Sequence, residues 1–436
     1  MKDQGIRVGL VVVASPLEVG ADKAPAILNN LKAGLDKRID AIPYKNPVMS
    51  SADSIRAGQH FYDNRIHAIC AVAASWFEDY LILDMLEECD VPVVLWGIPG
   101  METGSLCGTQ QLGFMLKQLS KPYTLIYDDL SSESSMGQIS KYTSSAALRS
   151  HLRKTKIGYL GHRVEGMTET TAHELALKKI FGPRVVNIDT KVFWDEVAKI
   201  DLESAQYRWE EITKQVGKVI CSDESGIESL RIFAVLRSIV EERMLDSIAI
   251  GCYPHLMGKV CLSASLLGED GIPVSCEGDI NGALGMMILS WLSSEPIHNT
   301  DLLNPVPDDN AIIFSHCGSG GFSLAKSLSD ITLAPVRLMD QGLCCMFTAK
   351  PGPVTLINIV PTISGYRIAV IEGDAMDTDM VFPGNPLKVR FEKDYREVLS
   401  WIADNGLGHH WMAAYGHLES EVDILAEMIG CEILCF

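Results

Sequence analysis

The sequence is short of basic residues. Its 436 residues carry 37 Lys and Arg against 56 Asp and Glu, a formal net charge of −19. No basic stripe runs along any segment, which argues against nucleic acid and against a membrane surface as partners. Long apolar runs are missing too; the longest are about strand length, far below the ~18–20 residues that span a bilayer. The opening stretch "MKDQGIRVGLVVV" lacks the charged, then apolar, then small order of a cleavable signal. The expectation is a cytoplasmic protein. Cysteine is present twelve times, but no Cys-x-x-Cys spacing of the zinc-site kind occurs. In a chain of this size such thiols read as reduced core residues. Repeats and low-complexity tracts are also absent, which excludes solenoids and leaves no compositional sign of disorder.

What is present is a regular alternation. "RVGLVVVAS", "IHAICAVAAS", "VPVVLWGIPG" and "PYTLIYDD" are strand-length apolar runs separated by helix-like segments. Continuous apolar strands imply a parallel sheet covered on both faces, and a first domain is expected at residues 1–155. "KIGYLG", "RVVNID", "KVICSD", "SIAIGCYP" and "IPVSCEGD" repeat the style around the long amphipathic segment "SGIESLRIFAVLRSIVEERMLD", placing a second domain at residues 156–297. From 298 to 436, short apolar runs are split by Pro and Gly turns, as in a meander or barrel. The expected fold class is α/β: two doubly wound parallel-sheet domains, then a β-rich, antiparallel or barrel-like C-terminal domain.

Ligands of open parallel sheets sit at the carboxyl ends of strands. Two neighbouring runs end in groups that bind protons or metal: His255 after "SIAIGCYP", and Glu277 and Asp279 after "IPVSC". Each has a plainer reading. Asp279 precedes "INGALGMMILSWL" and could be its helix N-cap. Glu277 could be a solvated turn residue, and His255 a hydrogen-bonded turn histidine. "GLGHHWMAAYGH" holds His409 and His410, whose side chains point to opposite faces of a strand, so only one can enter a given site. "FSHCGSGG" follows another apolar run. Its glycines could expose amides to an anion, although it lacks the Gly-Lys layout of a phosphate loop. Cys317 beside His316 reads as an inert turn thiol or a nucleophile.

Several of these pieces, in order, resemble the L-fucose isomerase and L-arabinose isomerase family. They are the Pro92–Trp96 strand, "GSLCG", "GHRVEGM", "DSIAIGCYPHL", "GIPVSCEGDINGAL", "PGPVTLINI" and "HHWMAAYGH". The resemblance implies an aldose–ketose isomerase of a small sugar. A divalent cation, Mn²⁺ with Co²⁺ or Mg²⁺ as alternatives, would chelate two sugar oxygens and stabilise a cis-enediol. Carried over, Asp279 looks like the family's aspartate ligand and an acid–base group. His410 looks like its histidine ligand, with His409 the fallback and a substrate contact. Where relatives carry "CWPEL", this chain has "CYPHL", so His255 stands at the position of a glutamate ligand and base. Either His255 takes both roles, or Glu277 supplies the base, or isomerisation is lost and a sugar-binding paralogue remains. An epimerase or lyase using the same enediolate is a further alternative. The departure also suggests a substrate carrying an acidic group. The resemblance further implies a homo-oligomer, trimer or hexamer, with Trp76 and Trp96 stacking on sugar at a neighbour's site or else packing in the core.

Overall fold

The computed structural model describes residues 5–338 and 341–436. Its internal contacts group the chain into two units. One runs to residue 151 and takes in 423–430; the other comprises 152–422 and 431–436.

The first unit has strands β1 (Ile6–Val13), β2 (Ile39–Pro43), β3 (Ala68–Ala73), β4 (Val93–Gly97) and β5 (Tyr123–Tyr127). They alternate with helices α1 (Ala24–Gly34), α2 (Ser51–Asp63), α3 (Tyr80–Glu88), α4 (Ser105–Gln118) and α5 (Glu133–Leu152). The sheet is parallel, in the order β2-β1-β3-β4-β5. Its strands read as unbroken apolar runs because both faces are covered. Along β1, Val8, Leu10 and Val12 join one core with α1 and α5; Val11 and Val13 join a second core with α2, α3 and α4.

The second unit begins with β6 (Lys156–Leu160), α6 (Glu174–Ile180), β7 (Arg184–Ile188), α7 (Thr190–Lys199), α8 (Leu202–Thr213) and β8 (Lys218–Val219). It continues with α9 (Asp223–Arg243), β9 (Ser247–Ile250), α10 (Cys261–Glu269), β10 (Val274–Ser275) and α11 (Ile280–Ser293). Here the parallel sheet has the order β10-β9-β6-β7. Then come β11 (His298–Val306), β12 (Ala311–Ser315), β13 (Thr332–Val336), β14 (Gln341–Met346), β15 (Gly352–Thr362), β16 (Gly365–Met376), β17 (Leu387–Arg390), α12 (Tyr395–Asp404) and β18 (His410–Tyr415). Helix α13 (Glu419–Ile429) and β19 (Glu432–Cys435) end the chain. Pairing runs β15-β18-β11-β12-β17-β16, and β16 also pairs with β15, so six strands close into an antiparallel barrel with β19 added outside β16. Parallel α/β layers followed by a β-rich C-terminal part are therefore observed, as the sequence pattern suggests. None of the twelve cysteines forms a disulfide. Among the described residues no helix is long and apolar enough to cross a membrane.

Helix α11 joins the two kinds of sheet. Its sequence "INGALGMMILSWLS" is apolar on nearly every side, and it packs against β9 and β10 as well as against β15 and β18. The approach to β18 is close: a Cβ at Gly282 would stand 2.7 Å from Met412 Cε and 2.7 Å from Asp279 Oδ2. The missing Cβ at Gly282 lets the start of this helix sit against both side chains.

Candidate active site

β10 ends at Ser275, and residues 276–279 turn the chain into α11. Two successive residues there are left-handed, Glu277 at φ 62° and Gly278 at φ 72°. Gly278 has a steric reason: a Cβ would meet the His162 carbonyl oxygen at 2.7 Å. Glu277 does have a Cβ, and this conformation costs it about 1–2 kcal/mol. The turn is backed by its neighbours. The Glu277 amide donates to Cys252 Sγ at 3.4 Å, and its carbonyl accepts from the Val164 amide at 3.4 Å. The result aims the Glu277 carboxylate at the barrel.

Three neighbouring barrel strands supply the partners. In β11, Asp301 is in register with His410 of β18 on one side and with Ser315 of β12 on the other; His316 follows Ser315. His410 Nε2 lies 3.1 Å from Glu277 Oε2 and 3.5 Å from Asp301 Oδ1. His316 Nε2 is 4.0 Å from Asp301 Oδ1. One ligand atom from each of Glu277, Asp301, His316 and His410 falls within 4.8 Å of the others.

The electrostatics of this group call for positive charge. Burial opposes a charge on His410, but hydrogen bonds to the Asp279 and Glu277 carboxylates, with Asp301 nearby, push its pKa up to about 10. His316 is also held well above the ordinary histidine value, burial being outweighed by the charge of Asp301. Burial likewise opposes ionisation of Glu277, yet the hydrogen bond from His410 and the charge of His316 keep it below the usual glutamate value. Asp301 Oδ1 is buried without a hydrogen-bond partner. An acceptor-only oxygen in that position, beside a second carboxylate and two imidazoles, fits a divalent cation. A donor set of two oxygens and two nitrogens without thiolate is one that divalent cations accept.

Of the residues singled out in the sequence, the fold brings Glu277, Asp279 and His410 together. His410 Nδ1 and Asp279 Oδ2 are 2.9 Å apart. His409 precedes β18, so strand alternation does not part it from His410: the two ring centroids are 4.2 Å apart, while His409 Nδ1 pairs with Glu169 at 2.5 Å and stays outside the four-residue group. His255 lies exposed in the turn after β9 and outside the four-residue group. Trp96 is wholly buried in β4, its indole donating to the Asp128 carbonyl at 2.8 Å. Trp76 is half-buried, with its indole on Gln111 at 3.1 Å; both tryptophans belong to the first unit. Asp301 does not stand out in the sequence, and His316 reads there only as a neighbour of Cys317. His316 had a signal, since it ends an apolar strand just as Glu277 does. Asp301 had none, because its place depends on which strands pair. The glycine loop after His316 is tied down by its neighbours: the Gly318 carbonyl accepts from the amide of Cys345 in β14 at 2.9 Å, and the Gly320 amide donates to Asn385 Oδ1 at 2.9 Å.

No family model matches the chain. It is similar to curated proteins named sulfoquinovose isomerase. With that of Priestia aryabhattai it shares 24% identity over 394 residues, 87% of this chain and 88% of the relative. With that of Alkalicoccus urumqiensis it shares 23% over 405 residues, 89% and 90% of the two chains. For the protein of Clostridium sp. (strain MSTE9) the identity is 22% over 356 residues, 78% and 80%. Among solved structures, an extracellular ligand-binding receptor from Rhodopseudomonas palustris HaA2 matches 68% of this chain and 67% of its own at 12% identity, with a TM-score of 0.19. That score is too low to bear on the fold.

Proposed function

We propose that this chain, an aldose–ketose isomerase with relatives named sulfoquinovose isomerase, is a divalent-metal-dependent isomerase of an acidic aldose, sulfoquinovose being the first substrate to test. The observation that carries this reading is the convergence of Glu277, Asp301, His316 and His410 within 4.8 Å. These four residues would hold the ion. Bound there, it would supply a Lewis acid that stabilises the negative charge developing on the sugar's oxygens.

The proton chemistry falls to the carboxylates. Glu277, kept ionised by its histidine neighbours, takes the proton from C2. The C2–H electron pair becomes the C1–C2 double bond, and the carbonyl pair moves onto O1. Asp301, through the carboxylate oxygen not committed to the ion, takes the O2 proton and hands it to O1. Glu277, its proton exchanged with solvent, then protonates C1, which discharges the enediolate and leaves a carbonyl at C2.

The test is incubation of chelator-stripped protein with sulfoquinovose in heavy water, with and without Mn²⁺. The expected product is the ketose bearing deuterium at C1, formed only when the ion is added. No ketose with Mn²⁺, Co²⁺ or Mg²⁺, or full activity in the presence of chelator, overturns the proposal.

A further inference from the structure

Asp279 occupies the residue just before α11, where an aspartate ordinarily accepts the free amide protons of the first helical turn. Its side chain makes no capping bond. Instead Oδ2 reaches across 131 residues of sequence to Nδ1 of His410, at 2.9 Å. Both side chains are more than nine-tenths buried, 5% exposed for Asp279 and 6% for His410. The other carboxylate oxygen, Oδ1, is buried and without a hydrogen-bond partner. A cap forgone and a carboxylate buried with an idle oxygen are both unfavourable. The fold tolerates them, and keeps Gly282 free of a Cβ that would collide with Oδ2 at 2.7 Å.

What the arrangement does is visible at His410. A neutral imidazole carries one N–H, and the partner of one ring nitrogen decides which nitrogen keeps the proton. With Asp279 accepting from Nδ1–H, the lone pair is left on Nε2, and Nε2 is the atom that faces Glu277 and Asp301. Asp279 itself is not one of the four residues whose ligand atoms converge. We propose that Asp279 is a positioning residue: it fixes the tautomer and ring plane of His410 so that Nε2 is offered to the metal, and it is not a ligand itself. This rests on the metal-dependent reading above, and departs from the role that family resemblance alone would give this aspartate. Partners of this kind are usual behind metal-binding histidines, and their loss typically weakens metal binding about 10–100-fold.

The test is calorimetric titration of chelator-stripped wild type, D279N, D279A and H410N with Mn²⁺, each checked for folding by circular dichroism. Wild type is expected to take one ion per chain. D279N and D279A should bind one ion about 10–100-fold more weakly, with D279A the weaker, and should regain at high Mn²⁺ activity that they lack at low Mn²⁺. H410N should lose measurable binding. Should D279A fail to fold, the isosteric D279N decides alone. Wild-type affinity in D279N overturns the proposal, and so does loss of all binding as in H410N, which would make Asp279 a ligand. A wild type that binds no Mn²⁺ overturns the metal-dependent reading along with it.

Discussion

Glu277 sits in a left-handed conformation that a side chain rarely takes, with its carboxylate 3.1 Å from His410 Nε2. Strain kept at one residue is informative when that residue faces a cluster of charge. Glu277→Gln should lower kcat about 10²–10⁴-fold with the circular dichroism spectrum unchanged; a loss below about tenfold would remove Glu277 as the base. Two buried histidines make opposite predictions for stability. His298 has no hydrogen bond on either ring nitrogen, and burial, with the charge of Lys350, pushes its pKa from 6.5 down to about 3. The unfolded chain takes up that proton below pH 6.5 and the folded one does not, so stability falls as pH drops from 6.5 towards 3. His410 keeps its proton in the folded state up to about 10. Its contribution is complete below pH 6.5 and is lost as pH rises towards 10. In chelator, stability should therefore peak near pH 6.5, each of these two histidines adding a slope of up to about 1.4 kcal/mol per pH unit to its limb and His316 adding to the alkaline one. Urea unfolding across this range checks it. H298N should flatten the acid limb and H410N the alkaline one; a monotonic profile would contradict both assignments.

At the scale of elements, the site depends on how tightly α11 meets β18. Gly282→Ala sets a methyl group against Met412 and Asp279, whereas Gly285→Ala meets Met412 Cγ at 3.3 Å. The first should cost about 1–3 kcal/mol and weaken Mn²⁺ binding; the second should do less of both. Equal effects in thermal melting and metal titration would show that this contact does not hold the site. The same comparison explains what was legible in the sequence. Glu277 and Asp279 end an apolar strand run before an apolar helix, and both signals are local. The meander after residue 350 is equally local, its β15–β16 hairpin being closed by a short turn. Asp301 meets His410 only through antiparallel pairing between strands more than a hundred residues apart, and no periodicity specifies which strands pair. His255 follows an apolar run in the sequence as Glu277 does, but it lies within the turn beyond Ile250 and at the surface, and spacing alone does not fix that direction. Asp279 does hold the N-cap position, as its sequence context allows, while its side chain is spent elsewhere.

For the whole molecule, one carboxylate at the end of a parallel strand and three side chains on adjacent barrel strands form a single group, so folding and metal binding are coupled. A ligand that binds only the folded state raises its stability, by about 2.7 kcal/mol at a hundredfold excess over its dissociation constant. The melting temperature of chelator-stripped protein should accordingly rise with added Mn²⁺, and E277Q should blunt the rise. A melting temperature indifferent to the ion would show that the four residues do not act together. The decisive comparison is stoichiometric: titration of stripped wild-type protein and of an H316N variant with Mn²⁺, followed by calorimetry. One ion per chain in the wild type and strongly weakened binding in H316N are predicted. Absence of binding in the wild type, or binding untouched by the loss of His316, would contradict the site described here.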